Sequence, residues 1–318
     1  MSLNFRVIAI SVVLGAAAGI IFAINLMPST PRIEEQVLEE EIAEPEVEPT
    51  PEPGRAELVA RALVEAYPGR ILAAEYRDDD WAVLLRDTWF YFADGRMLPE
   101  DLRHRASEYS PIAFYNNYNL ELPPWNPPST AEAARLSNLA EARATVQPPR
   151  APHFFDTLYR SHSGNESYER VKTLRFLGFS VTVHYSILEE LSLVEEQILR
   201  AARTDPAVQT WIANIQSMAG WSWRSIVGSQ SRSFHAYGVA LDIMPGATGG
   251  RAVFWQWAGP DWFNIPYERR HHPPDAVINA FESYGFVWGG RWLFFDTIHF
   301  EYRPEVFILN GHELSTLR

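Results

Sequence analysis

The segment SFHAYGVALDIMP, residues 233–245, sets His235 and Asp242 among small and apolar neighbours. GVALDI alternates as a strand does, so Val239, Leu241 and Ile243 share one face while Gly238, Ala240 and Asp242 share the other. That second face is nearly empty of bulk and carries one carboxylate. Near the C-terminus IHFEY alternates in the same way, placing His299 and Glu301 on one face, with Asp296 three residues ahead of His299. Two imidazoles and a carboxylate form a three-ligand set suited to catalytic zinc, which leaves a fourth position open. Zinc lowers the pKa of bound water to about 7. A nearby carboxylate must still carry the proton, and Asp296 is the natural group for that task.

The elements that must position these residues can be read from periodicity. Residues 183–203, VHYSILEELSLVEEQILRAAR, predict a long amphipathic helix with Ile187, Leu188, Leu191, Val194, Ile198 and Leu199 as its apolar stripe. Residues 205–218 predict a second helix, with Asp205 as N-cap and Pro206 at the first helical position. Upstream, RAELVARALVEAY (55–67) predicts a helix, and residues 81–98 predict two strands and a turn at Asp94-Gly95. TAEAARLSNLAEARA (130–144) predicts a short helix between Pro-rich stretches. Helices grouped before strands argue for an α+β fold, helices packed on a small antiparallel sheet that carries the zinc site.

The chain of 318 residues has no Cys, which excludes disulfides, thiolate metal sites and a Cys nucleophile. Its net charge of −13 is uneven, since residues 28–54 hold nine Glu against one Arg, a net of −8 that leaves −5 for the rest. This Pro- and Glu-rich stretch predicts an unpacked linker. No basic stripe calls for a nucleic-acid partner. Residues 7–27 are apolar apart from Ser11 and Asn25, long enough to span a bilayer of about 30 Å. They predict either a membrane anchor or a cleaved signal peptide, with the remainder outside the cytoplasmic membrane, in the cell envelope. The organisation expected is therefore an anchor or signal (1–27), a linker (28–54), an α+β region of unknown role (55–150) and a zinc domain (151–318).

The pattern Ser233-x-His235-x-x-Gly238-x-Ala240-x-Asp242, followed by WGGRW and DTIHFEY, resembles the VanY-type D-alanyl-D-alanine carboxypeptidases and related L-alanyl-D-glutamate endopeptidases. The resemblance covers residues 221–305. It implies zinc held by His235, Asp242 and His299, with Asp296 as base. It also implies an Arg that binds the substrate carboxylate or the oxyanion. The chain departs from the family there, and WSWRSIVGSQSRS offers Arg224, with Arg232 as a lesser substitute. Ser233, Glu301 and Trp288 are expected to touch substrate or support the ligands. Trp residues in the insertion 254–275 wall a groove or build core, and His271 and His272 are read as surface loop residues, not ligands. The function implied is hydrolysis of peptidoglycan stem peptides, at a terminal D-Ala or an internal L-Ala-D-Glu bond. The rival is a catalytically silent peptidoglycan-binding module on the same fold.

Overall fold

A computed structural model describes residues 54–114, 118–121, 125–145 and 147–315, all within the unit Glu52–Arg318. Helix α1 (Arg55–Ala66) buries Val59, Ala60, Ala62, Leu63 and Ala66, the face that its sequence spacing marks as apolar. It packs on an antiparallel meander of β1 (Ile71–Arg77), β2 (Asp80–Leu85), β3 (Thr88–Tyr91) and β4 (Leu98–Pro99). Asp78 and Asp79 turn β1 into β2 with φ of 48° and 65°, a left-handed pair that Asp tolerates better than most residues. The expected Asp94-Gly95 turn lies between β3 and β4, with Gly95 at φ 85°.

Next come α2 (Thr130–Thr145), α3 (His153–Tyr159), α4 (Gly164–Tyr168) and a hairpin of β5 (Val171–Phe176) and β6 (Phe179–His184). The long helix predicted from residue 183 starts later. Val183 and His184 end β6, and α5 covers Leu188–Ala201 with Leu191, Val194 and Ile198 buried. Val183 serves the hairpin because its backbone pairs with Lys172. Helix α6 (Pro206–Ala213) starts as expected, the Asp205 side chain accepting from the Ala207 N–H at 2.8 Å. It stops at Asn214, and the residues read as its continuation form β7 (Ile215–Ala219). Asn214 ends the helix by tying its side chain to Ala247, both donating to the carbonyl and accepting from the N–H.

The second sheet has strand order β7-β8-β10-β9, with β8 Ala240–Pro245, β9 Phe286–Trp288 and β10 His299–Tyr302, all neighbours antiparallel. Helix α7 (Asp275–Ser283) precedes β9, and α8 (Pro304–Leu309) follows β10. One face of this sheet is core, where Phe300 stacks on Phe281 of α7 at 3.9 Å between ring centroids. The main hydrophobic cluster joins Val59, Leu63, Val83 and Phe90 to Phe154, Val183, Leu241 and Phe300, so it runs across both sides of residue 150. A satellite cluster of Leu136, Trp262, Phe263 and Phe295 packs α2 on the insertion between β8 and α7.

The described chain is thus α+β with antiparallel sheets. The expectation of a transmembrane helix ahead of this fold, and of a chain anchored in the cytoplasmic membrane, is corrected. No helix among the described residues is long and apolar enough to cross a membrane. The predicted span 7–27 and nearly all of the linker 28–54 lie outside the described residues.

Candidate metal centre and groove

Asp242 and His299 face each other directly across the β8–β10 ladder. Adjacent strands place opposed side chains about 4.5–5.5 Å apart at Cβ, close enough to share one ion. His235 arrives from a short 3-10 turn, Phe234–Tyr237, just before β8. Ser233 caps that turn, its hydroxyl accepting from the His235 N–H at 3.3 Å. Gly238 closes it at φ 72°, where an added Cβ would lie 2.8 Å from the His184 nitrogen. Gly therefore serves both the left-handed backbone and the close approach to β6.

The hydrogen bonds fix which ring nitrogen of each His faces the centre. The Gly220 carbonyl can only accept, so His235 Nδ1–H donates to it at 2.6 Å and Nε2 keeps its lone pair. His299 Nε2 lies 3.2 Å from a carboxylate oxygen of Glu301, to which it donates, so Nδ1 is the nitrogen that offers a lone pair once the ring is neutral. Three acceptor atoms then converge. His299 Nδ1 to Asp242 Oδ1 is 2.8 Å, His235 Nε2 to Asp242 Oδ1 is 3.1 Å, and the two ring nitrogens are 3.3 Å apart. Like-ended lone pairs at such distances repel unless a proton or a cation lies among them. Tetrahedral zinc with bonds of about 2.0–2.1 Å sets its ligand atoms about 3.3 Å apart, near the spacing here. Both His are buried and Asp242 nearly so, and the trio could hold a metal ion.

The electrostatics agree. Burial opposes ionisation of Asp242, but hydrogen bonds from His235 and His299 outweigh it and hold the carboxyl far below its usual range. Burial likewise opposes a charged His299, yet hydrogen bonds to Asp242 and Glu301 push it up to about 10. The pocket thus favours positive charge. Both outer supports, Gly220 for His235 and Glu301 for His299, fix ring orientation as partners of metal-bound His commonly do.

Asp296 opens onto the same groove as the trio. Its Oδ1 is buried and makes no hydrogen bond among the described residues. Burial raises its carboxyl to about 6, with Asp242 adding to the rise and the two His opposing it. A carboxylate in that range is suited to taking and returning a proton near neutral pH.

Residues 227–302 match the family described as D-alanyl-D-alanine carboxypeptidase. The matched span contains His235, Asp242, Asp296 and His299, so this part of the chain is similar to a carboxypeptidase-type peptidase over the residues that build the site. Residues 59–114 match a family described as a domain of unknown function. No curated protein and no solved structure matches the chain.

The groove over the peptidase-like segment has a volume of about 940 Å³. Its walls include Phe254, Trp255, Trp257 and Trp292, with Trp257 65% exposed. The insertion's Trp residues therefore divide: Trp262 is core and Trp257 is wall. Arg224 lies on the groove, and its guanidinium donates to the Ser225 carbonyl at 3.4 Å. Arg232 is committed elsewhere, in an ion pair with Asp156 and over the Trp223 ring. Trp288 is fully buried and donates its indole N–H to the Thr297 carbonyl at 2.9 Å, bracing the turn between Asp296 and His299 from behind. His271 and His272 are absent from the trio, but His271 is buried and not on the surface as expected, its backbone N–H tied to the Ala252 carbonyl, while His272 donates to the Tyr267 carbonyl. Sequence reasoning missed Arg303 and Glu305. The signal was EYRPE, charged residues packed densely after a strand whose flanks are otherwise apolar.

Proposed function

We propose that the chain is a zinc peptidase that hydrolyses peptidoglycan stem peptides. The reading is carried by one observation: side-chain atoms of His235, Asp242 and His299 converge on the groove that Asp296 also lines, with one Asp296 oxygen lacking a hydrogen-bond partner among the described residues. Zinc in that position would polarise the scissile carbonyl and acidify a water molecule. Asp296 takes the proton from the attacking water and delivers it to the leaving nitrogen. Gly220 and Glu301 hold the two imidazoles so that neither ring turns away as charge develops. The aromatic walls exclude bulk water and seat the peptide. Arg224 clamps the substrate's terminal carboxylate, which makes removal of a terminal D-Ala the favoured reaction over internal cleavage at L-Ala-D-Glu.

Digestion of purified peptidoglycan, with products identified by mass, tests the reading. Release of D-Ala that stops with a chelator and returns with zinc supports it. Binding of peptidoglycan by the zinc-loaded protein with no bond cut would make the chain a silent binding module instead. Arg224→Lys should cut turnover of peptides with a free C-terminus far more than that of amidated ones, because an ammonium cannot copy the guanidinium's two parallel bonds. Equal losses on both would move Arg224 to the oxyanion.

A further inference from the structure

A line of buried groups runs from the first part of the chain to the metal centre. Tyr67, the residue that caps α1, donates its hydroxyl to Glu305 Oε2 at 2.8 Å. Glu305 Oε1 accepts from Arg303 Nε. Arg303 Nη2 donates to the Ala113 carbonyl at 3.0 Å, and Nη1 lies 3.5 Å from Glu301 Oε1. The other oxygen of Glu301 accepts from His299 Nε2–H at 3.2 Å. Arg303 and Glu305 are 0% exposed, Tyr67 2% and Glu301 6%.

The guanidinium also touches the other His-bearing element. It lies 5.1 Å from the ring of Phe234, the residue before His235, and within 5.8 Å of Phe114 and Phe155. A planar fork with fixed donor directions is hard to rotate once it bonds Glu305 and Ala113 and pairs with Glu301. Buried ion pairs are commonly neutral or costly for stability, so stability alone is a weak reason for this one. Its geometry offers another reason, because the Arg303 charge, 3.5 Å from one oxygen of Glu301, favours the orientation in which the other oxygen accepts from the His299 ring.

We propose that Tyr67 and the Ala113 carbonyl, which flank the meander in sequence, are positioning groups of the metal centre. Through Arg303 they fix Glu301 and so aim His299 Nδ1. Ordinary outer partners of metal-bound His change affinity about 10–100-fold when lost, and Tyr67, further out, falls at the low end. The inference rests on His235, Asp242 and His299 being the ligands.

Tyr67→Phe in the full chain is the test, since it deletes one hydroxyl and keeps the ring. The deciding measurement is the NMR resonance of the His299 Nε2 proton in metal-free protein, which reports the bond to Glu301 whether or not zinc binds. A displaced resonance, together with zinc affinity about tenfold weaker by chelator competition and a melting temperature within a few degrees of the parent, supports positioning. A resonance and affinity identical to the parent, with only the melting temperature lowered, overturns it. Arg303→Lys should move the same resonance further. If that variant fails to fold, Tyr67→Phe still decides. A parent chain that binds no zinc sinks the ligand assignment, while the resonance still tests the line of contacts.

Discussion

The two four-stranded sheets are built on opposite plans. In the first, β1 to β4 follow one another in sequence and in space, joined by tight turns. In the second, β8 pairs with β10 across a separation of 57 residues between Asp242 and His299. A meander needs only local turns, and it carries core residues such as Val83, Leu85 and Phe90. A sheet assembled from distant segments can oppose polar faces that no hairpin supplies together. It also leaves its intervening chain free to build a wall, which is where Trp255 and Trp257 lie. Chemistry sits on the second plan and scaffolding on the first.

The comparison predicts that variants around the second sheet act first on metal and chemistry, and those in the first act on stability alone. His235→Ala should weaken zinc binding on the order of 10²-fold or more, if about a third of a binding energy near 10 kcal/mol is lost. Metal content after dialysis reads this, and stoichiometric zinc in the variant would break the ligand assignment. Asp296→Asn should keep its zinc and lose about 10²–10⁴-fold in turnover, the usual worth of a proton carrier. Loss of zinc there would make Asp296 a ligand. Leu85→Ala, at a site 1% exposed in the meander, should cost about 2–5 kcal/mol in urea unfolding and leave kcat unchanged well below the melting range. A fall in kcat at full folding would blur the division between the two sheets.

The smallest effect concerns pH. Burial lowers His184 to about 4, below its usual value of 6.5. Its folded-state pKa is depressed, so the stability it contributes is present above about 6.5 and is lost as pH falls toward 4. Between pH 7 and 5 that loss is about 2 kcal/mol. His184→Gln should lose less stability than the parent over that interval, by urea midpoints at both values. Equal losses would show that His184 titrates in the fold as it does in the unfolded chain.

The chemistry was legible because its residues break local rules. A carboxylate among Gly and Ala on a strand face, and a His on a short alternating strand, do not fit plain core. Helix α1 and the start of α6 were legible from periodicity and from Asp205-Pro206. The residues of β7 were not, since Ile212 and Ile215 keep a helical interval and only the tertiary anchoring of Asn214 ends the helix. β1 stayed hidden because its burial does not alternate cleanly. Gly220 could not be read as a ligand's support, because its part is played by a backbone carbonyl that every residue type possesses. The role of Arg303 depends on Tyr67 and Ala113, far away in sequence, and no spacing encodes such a meeting.

The chain has no Cys, and so no covalent bond closes any of its loops. The ladder that sets Asp242 beside His299 gives it another way to do so. An ion held by both would clasp a 57-residue loop at its neck. In chain-entropy terms a permanent tie across that many residues is worth about 4 kcal/mol, drawn from the freedom of the unfolded chain. A metal there would serve as fastener as well as reagent, and stripping it would loosen the insertion that walls the groove before it disturbed the meander.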